Sequence, residues 1–387
     1  MSQYRFYYDE SEHSRKIGLK TITAENYYDN FVSVIIGWSE EKKAEIEQAY
    51  LAFEEKYNDR KHEGELKSST IKNRQLRYGF ASLDENNTAF LSDLLTLFSD
   101  NVFVYYSSHS KIEYIMNQLF CDYSSNFIVD KNALIYTIVK ALVINKPQEV
   151  QNAIYKSPDA FIKALKGFLQ RKIAIDKGNI ELKEMEIKAF EQALIIIDTV
   201  QAPNTIDWDY TPPFMGFKDY LKVREIKNYT LTIDREGDEQ KTVNAAIAAG
   251  IANATDSISS ETIGIRMADM LAGVISKMMK ALAQSLHSSS IRKTLLSNKW
   301  FRMNSDQFAL YKKLYHIIVE NKEYSFKAFA SIYADDILAL LSLLDYMNHF
   351  KKATELEEKI EFQGEYYNAH MCSALGRYFK QLRNRGF

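Results

Sequence analysis

The chain has 387 residues, 46% of them hydrophobic and 26% charged, with a formal charge of −2. That much apolar side chain excludes disorder for the bulk of the chain, and the length accommodates about two to three domains. With 14 Gly and 5 Pro, collagen-like and loop-rich architectures are excluded. The near-zero charge also excludes a global basic field, so any phosphate recognition has to be local.

Tyr4, Phe6 and Tyr8 alternate with Arg5, Tyr7 and Asp9, the period of a strand. A second extended piece is expected around Ile17 to Ile22. Phe31 to Ile36 is nearly all apolar and reads as a strand covered on both faces. Ser39 then reads as a helix N-cap, with Glu40 and Glu41 in a first turn that favours carboxylates. Ile46, Tyr50, Phe53 and Tyr57 recur at helical spacing and predict a stripe packed on the sheet. A helix from about Thr88 to Phe98 and a strand from Val102 to Tyr106 complete the first part.

From Lys111 to Val200 the pattern is helical almost throughout. APNTIDWDYTPPFMGF follows, holding Pro203, Pro212 and Pro213, and predicts a long loop. Tyr229 to Asp234 reads as a strand with Leu231 and Ile233 on one face and Thr230, Thr232 and Asp234 on the other. Two helices come next, near Lys241 to Ala254 and from Ile263 to Leu286. The remainder to Phe387 is helical, with no expected strand. Strand material thus flanks a helical block, and the expectation is α/β. A mixed sheet in a ribonuclease-H-like order would be built from 1–110 and 225–286. Residues 111–224 would be a large helical insertion and 287–387 a helical C-terminal region.

Cys121 and Cys372 lie far apart and form no ligand-type spacing. The start MSQYRFYYDESEHSRK has no apolar core of a signal peptide, and no apolar run is long enough for a bilayer. A reduced, cytoplasmic protein with no membrane partner is expected.

The chemistry rests on carboxylates. Asp9 ends the first strand on the face opposite Phe6 and Tyr8, and Asp234 ends the late strand. At about 100° per residue, Met267, Leu271, Val274, Ile275, Met278 and Leu282 form the apolar face of the last core helix. Asp269 points away, beside Ile265, Gly273, Ser276 and Lys280, with Arg266 and Lys277 flanking. Periodicity alone makes that a solvated face; the functional alternative is a small-residue stripe that approaches a metal. Acids meeting at strand ends would form an all-oxygen cluster for Mg²⁺ or Mn²⁺, and such a cluster activates water at a phosphodiester. Glu65 and Lys67 would share one face of an extended segment, as a further metal ligand beside a phosphate-contacting lysine. Arg60, Lys61, Lys72, Arg74 and Arg77 around them read as a basic surface loop. Arg377, Lys380, Arg383 and Arg385 read as a basic helix end. Asp207 and Asp209 read as turn residues. No HExxH, Walker-type loop or GxSxG elbow is present, which argues against zinc, ATP-driven and acyl-transfer chemistry.

YYDES (7–11), ELKSS (65–69), TLTIDRE (230–236) and IGIRMADMLAGVI (263–275) together resemble the ordered blocks of the bacterial domain-of-unknown-function family 3800. The resemblance covers roughly residues 1–110 and 225–286. Glu12 stands where the family has glycine, and Arg266 where it has glutamine. Membership of that kind implies a ribonuclease-H-like fold and an acidic site of Asp9, Glu65, Asp234 and Asp269, with Glu10 as the alternative first-strand acid. The function expected is a divalent-metal-dependent nuclease acting on DNA or RNA, a type compatible with bacterial defence or a toxin-like system. The alternative is a non-catalytic interaction protein with a vestigial acidic site, binding a protein partner through its helical insertion or C-terminal region.

Overall fold

The structure, a computed structural model, describes residues 2–12, 19–24, 27–98, 100–125, 130–199, 206, 211–235, 240–287, 294–320, 325–329 and 331–384. Seven strands lie among them: β1 (Tyr4–Ser11), β2 (Asn30–Ser39), β3 (Arg77–Phe80), β4 (Phe103–Ser110), β5 (Tyr229–Asp234), β6 (Ala254–Ser257) and β7 (Ser325–Phe329). All but β3 join one sheet in the order β6-β5-β1-β2-β4-β7. β2 runs antiparallel to both β1 and β4, and the other neighbours are parallel. The fold is therefore α/β with a mixed sheet and many helices.

The continuous apolar run of β2 has its reason in this layering. Every residue from Asn30 to Trp38 is buried, because helices cover both faces of the sheet. On one face Tyr7, Val34 and Ile36 share a core with Met267, Leu271 and Ile275 of the closing helix Ile263–Leu286. On the other, Phe6, Tyr8, Leu231 and Ile233 pack against Phe214, Phe217 and Tyr220 of the helix Thr211–Val223. Each fully buried side chain of that size contributes about 1.5–3 kcal/mol. The C-terminal region contributes to both layers, giving β7 to the sheet edge and Trp300, Tyr311, Leu343 and Tyr367 to the first core. The helices between Lys131 and Thr199 hold a separate core around Ile135, Leu165 and Phe190.

Several expectations need correction. Leu19–Ile22 is a helical turn, closed by Thr23 Oγ1 donating to Leu19 O at 2.8 Å, and not a strand; Ile17 lies outside the described residues. Ser39 makes no side-chain cap, and the helix Lys43–Lys56 is entered through a 3₁₀ turn. The TPPF segment opens a helix, since prolines in a first turn give up N–H groups that have no intrahelical acceptor. The helix after Gln240 stops at Ala248. β6, with the sequence ATDS, has no hydrophobic alternation and is held by pairing with β5. β7 likewise forms by backbone pairing with β4.

The largest correction concerns the closing helix, which has no solvated face along its first four turns. Arg266, Ser276 and Lys280 are buried along with the apolar stripe, because the 65–70 segment and Lys43–Lys56 cover that side. Two glycines permit the approach. A Cβ at Gly264 would come within 2.1 Å of the Tyr7 ring, and one at Gly273 within 2.2 Å of Ser68 Cβ. No described helix is long and apolar enough to cross a membrane. Both cysteines are free and exposed.

Candidate active site

Parallel pairing of β1 with β5 brings two acids to one sheet end. The last registered pair is Tyr8 opposite Ile233, and Asp9 and Asp234 are the next residue on each strand. This is the carboxyl end of two parallel strands, where α/β sheets open their clefts. The closing helix passes over the same end and presents Asp269.

The 60–70 segment supplies the rest. Glu63 and Gly64 both take positive φ (53° and 88°), and His62 and Glu65 exchange backbone hydrogen bonds across them. That tight turn sends Glu65 inward, after which the chain is extended at Lys67. Leu66 points into the core, so Glu65 and Lys67 share the opposite face. Lys67 Nζ donates to Glu65 Oε1 at 2.8 Å, and Ser259 Oγ reaches the same oxygen at 3.3 Å.

Asp9, Glu65, Lys67, Asp234 and Asp269 all line one pocket of about 230 Å³, together with Leu66, Ser68, Ser69, Ser259 and Arg266. The four acids and the lysine expected to form the site thus reach a common cavity. Glu10 is not among the lining residues, as strand alternation requires. Asp207 and Asp209 lie outside the described residues, as does Arg385.

Electrostatics distinguishes the members. Burial raises the Asp9 carboxyl well above the usual carboxylate range, and the charges of Asp269, Glu10 and Asp234 push the same way. The Glu10 N–H, donated to Asp9 Oδ1 at 2.7 Å, opposes this. Burial also raises Asp269, against the Ser68 hydrogen bonds and the nearby Lys277 and Lys67. Lys67 is held above its usual value by its bond to Glu65.

Sequence reasoning missed what holds Asp269 in place. Ser68 N and Ser68 Oγ each donate to one of its oxygens at 2.7 Å, and Lys277 Nζ donates to Ser68 O at 3.0 Å. Arg266 lines the pocket without being available to a phosphate. Its guanidinium meets both oxygens of Glu54 (2.9 and 3.1 Å) and the carbonyls of Ser259 and Ser260. The only sequence signal for Ser68 was its place in the ELKSS block beside Glu65 and Lys67.

Does this set suit a hard divalent cation? The acids bring oxygen donors alone, as Mg²⁺ and Mn²⁺ require. Glu65 Oε2 is buried and has no hydrogen-bond partner, an acceptor whose desolvation a cation would offset. Among the described residues, however, no three His, Cys, Asp or Glu side chains are grouped so as to hold a metal ion. The donor chemistry fits, while the ligands are not gathered into a finished cage.

Comparison with protein-family models, with curated proteins and with solved structures gives no match to the chain.

Proposed function

We propose that the protein is a divalent-metal-dependent nuclease hydrolysing phosphodiester bonds of DNA or RNA, built on a ribonuclease-H-like sheet. The sheet order supports the frame: an antiparallel run β4-β2-β1 is continued by parallel β5 and β6, with β7 added at the outer edge. The observation that carries the proposal is the pocket itself, where four acids from four separate stretches of chain stand beside one lysine.

In this reading Asp9 and Asp234 hold metal at the strand ends, Asp269 completes the set and Glu65 offers its unpartnered oxygen. Bound Mg²⁺ or Mn²⁺ would lower the pKa of water and stabilise the leaving oxygen of the phosphodiester. The chain's own part is positional. Ser68, braced by Lys277, fixes the Asp269 carboxylate, and Lys67 offsets negative charge on the phosphate. Crowded acids repel one another, so the site favours cations before any substrate arrives.

The test uses the purified full chain with labelled single- and double-stranded DNA and RNA, in Mg²⁺ or Mn²⁺. Cleavage is expected in the native protein and lost in Asp9→Asn and in Asp269→Asn. Cleavage that survives both substitutions at the native rate overturns the assignment.

A second reading, a non-catalytic interaction protein, is favoured by the ungathered ligands and by exposed Ile175, Ile180, Met185 and Ile195 on the insertion. Calorimetry with Mn²⁺ separates the two. Binding lost in Asp269→Asn supports the nuclease, and absence of binding supports the interaction protein.

A further inference from the structure

The second cavity of note lies toward the far end of the closing helix, away from the acids. It offers about 260 Å³ between that helix, the loop before β2 and the helices that follow β4. Its wall is apolar, formed among others by Ile112, Ile115, Met116, Leu142, Val150 and Ile154.

Polar groups gather at one end, and they are not equally committed. Asp29 accepts from Ser110 Oγ (2.5 Å), Ile112 N (3.0 Å) and Tyr27 OH (3.2 Å). Lys280 Nζ donates to Glu12 Oε1 at 2.8 Å. Asp336 is different. Its Oδ2 takes both Tyr28 OH (2.8 Å) and Asn30 Nδ2 (2.9 Å), while Oδ1 faces His287 Nε2 across 3.8 Å. That gap is too long for a hydrogen bond and wide enough for one hydroxyl to bridge, donating to the carboxylate and accepting from the imidazole. Charge also selects: an anion would meet Asp29 and Asp336, and a cation would meet Lys280 and Lys146, so an uncharged molecule fits best.

We propose that this cavity is a binding site for a small uncharged molecule with an apolar body and a terminal hydroxyl, seated between Asp336 and His287. A partly open, mainly apolar pocket with a few convergent polar groups is the usual form of such sites. The proposal stands apart from the hydrolytic reading, since the cavity shares no lining residue with the acid pocket.

The test is calorimetric titration of the full chain with p-cresol and with toluene, which differ by the hydroxyl. Saturable one-to-one binding of p-cresol is expected, about tenfold tighter than toluene, the worth of one hydrogen bond to a charged acceptor. Ala283→Trp, which fills the cavity from the closing helix, should abolish binding of both. His287→Leu should weaken p-cresol binding and leave toluene unchanged, since the hydroxyl loses its imidazole donor while Asp336 stays, and it keeps the test valid if Ala283→Trp fails to fold by circular dichroism. No binding of p-cresol, equal affinity for the two probes, or unchanged p-cresol binding in His287→Leu overturns the proposal.

Discussion

Arg266 and Asp269 sit one turn apart on the same helix, line the same pocket, and have opposite circumstances. Around Arg266 the account is closed, with two carboxylate oxygens and two carbonyls meeting its donors. Around Asp269 it is open: Ser68 holds the Asp269 carboxylate, but beside it Asp9 sits among like charges and Glu65 Oε2 is buried without a partner. Complete pairing makes a buried charge a strut, whereas leftover acceptors make a place for something else. The two clusters should therefore respond to substitution in opposite ways.

The sharpest division is in turnover. Under the proposed nuclease function, Asp269→Asn should reduce Mn²⁺-dependent hydrolysis on the order of 10³-fold, the scale at which one lost charge-stabilising group registers in a preorganised site. Rates from single-turnover assays at saturating metal give the comparison, and a variant within threefold of native would dissolve it. Arg266→Ala should instead act on stability. It strands Glu54 in the core and should cost about 3 kcal/mol, most of it recovered when Glu54→Leu is added to Arg266→Met. Urea midpoints at constant slope measure both, and a small loss in the single variant would show that the strut is idle.

His109 adds a paired group whose charge is the variable. It stacks on Phe31, its Nε2 meets Ser107 Oγ at 2.8 Å, and burial holds the imidazole down at about 3. The folded state refuses a proton that the unfolded chain takes up. Its contribution is thus complete above pH 6.5 and is lost as pH falls toward 3, at about 1.4 kcal/mol per unit. At pH 5 that amounts to about 2 kcal/mol relative to pH 7. Unfolding of His109→Gln across this window should lose that share of the pH dependence; matching slopes would remove His109 from the comparison. The smallest effect has the opposite sign. Asp9→Asn removes one of several crowded charges and should raise stability by about 1 kcal/mol at pH 7, seen as a higher melting temperature without metal. A lower melting temperature would mean that the acids are not in tension.

The legible parts of the sequence were those where one periodicity acts alone. β1, β2 and β5 announced themselves by alternation or by unbroken apolar runs, and Asp9 near the end of β1 and Asp234 at the end of β5 came with them. The closing helix was legible in extent but not in its surroundings. Arg266 and Lys280 look like solvent-facing charges until Glu54 and Glu12, from distant segments, are seen to meet them. β6 and β7 carry no pattern of their own and exist because a neighbour offers unpaired backbone. Ser68 could not be read as the holder of Asp269, because that relation spans 201 residues of chain.

The acids enter the chain at positions 9, 65, 234 and 269, so synthesis delivers the last of them long after the first. Until the closing helix has emerged and docked, Asp9 and Asp234 have no Asp269 beside them, and the pocket lacks a wall. Contacts of such sequence separation form late, since loop-closure entropy is lost before they can reward it. A chain stalled before Ile263 therefore carries no complete site.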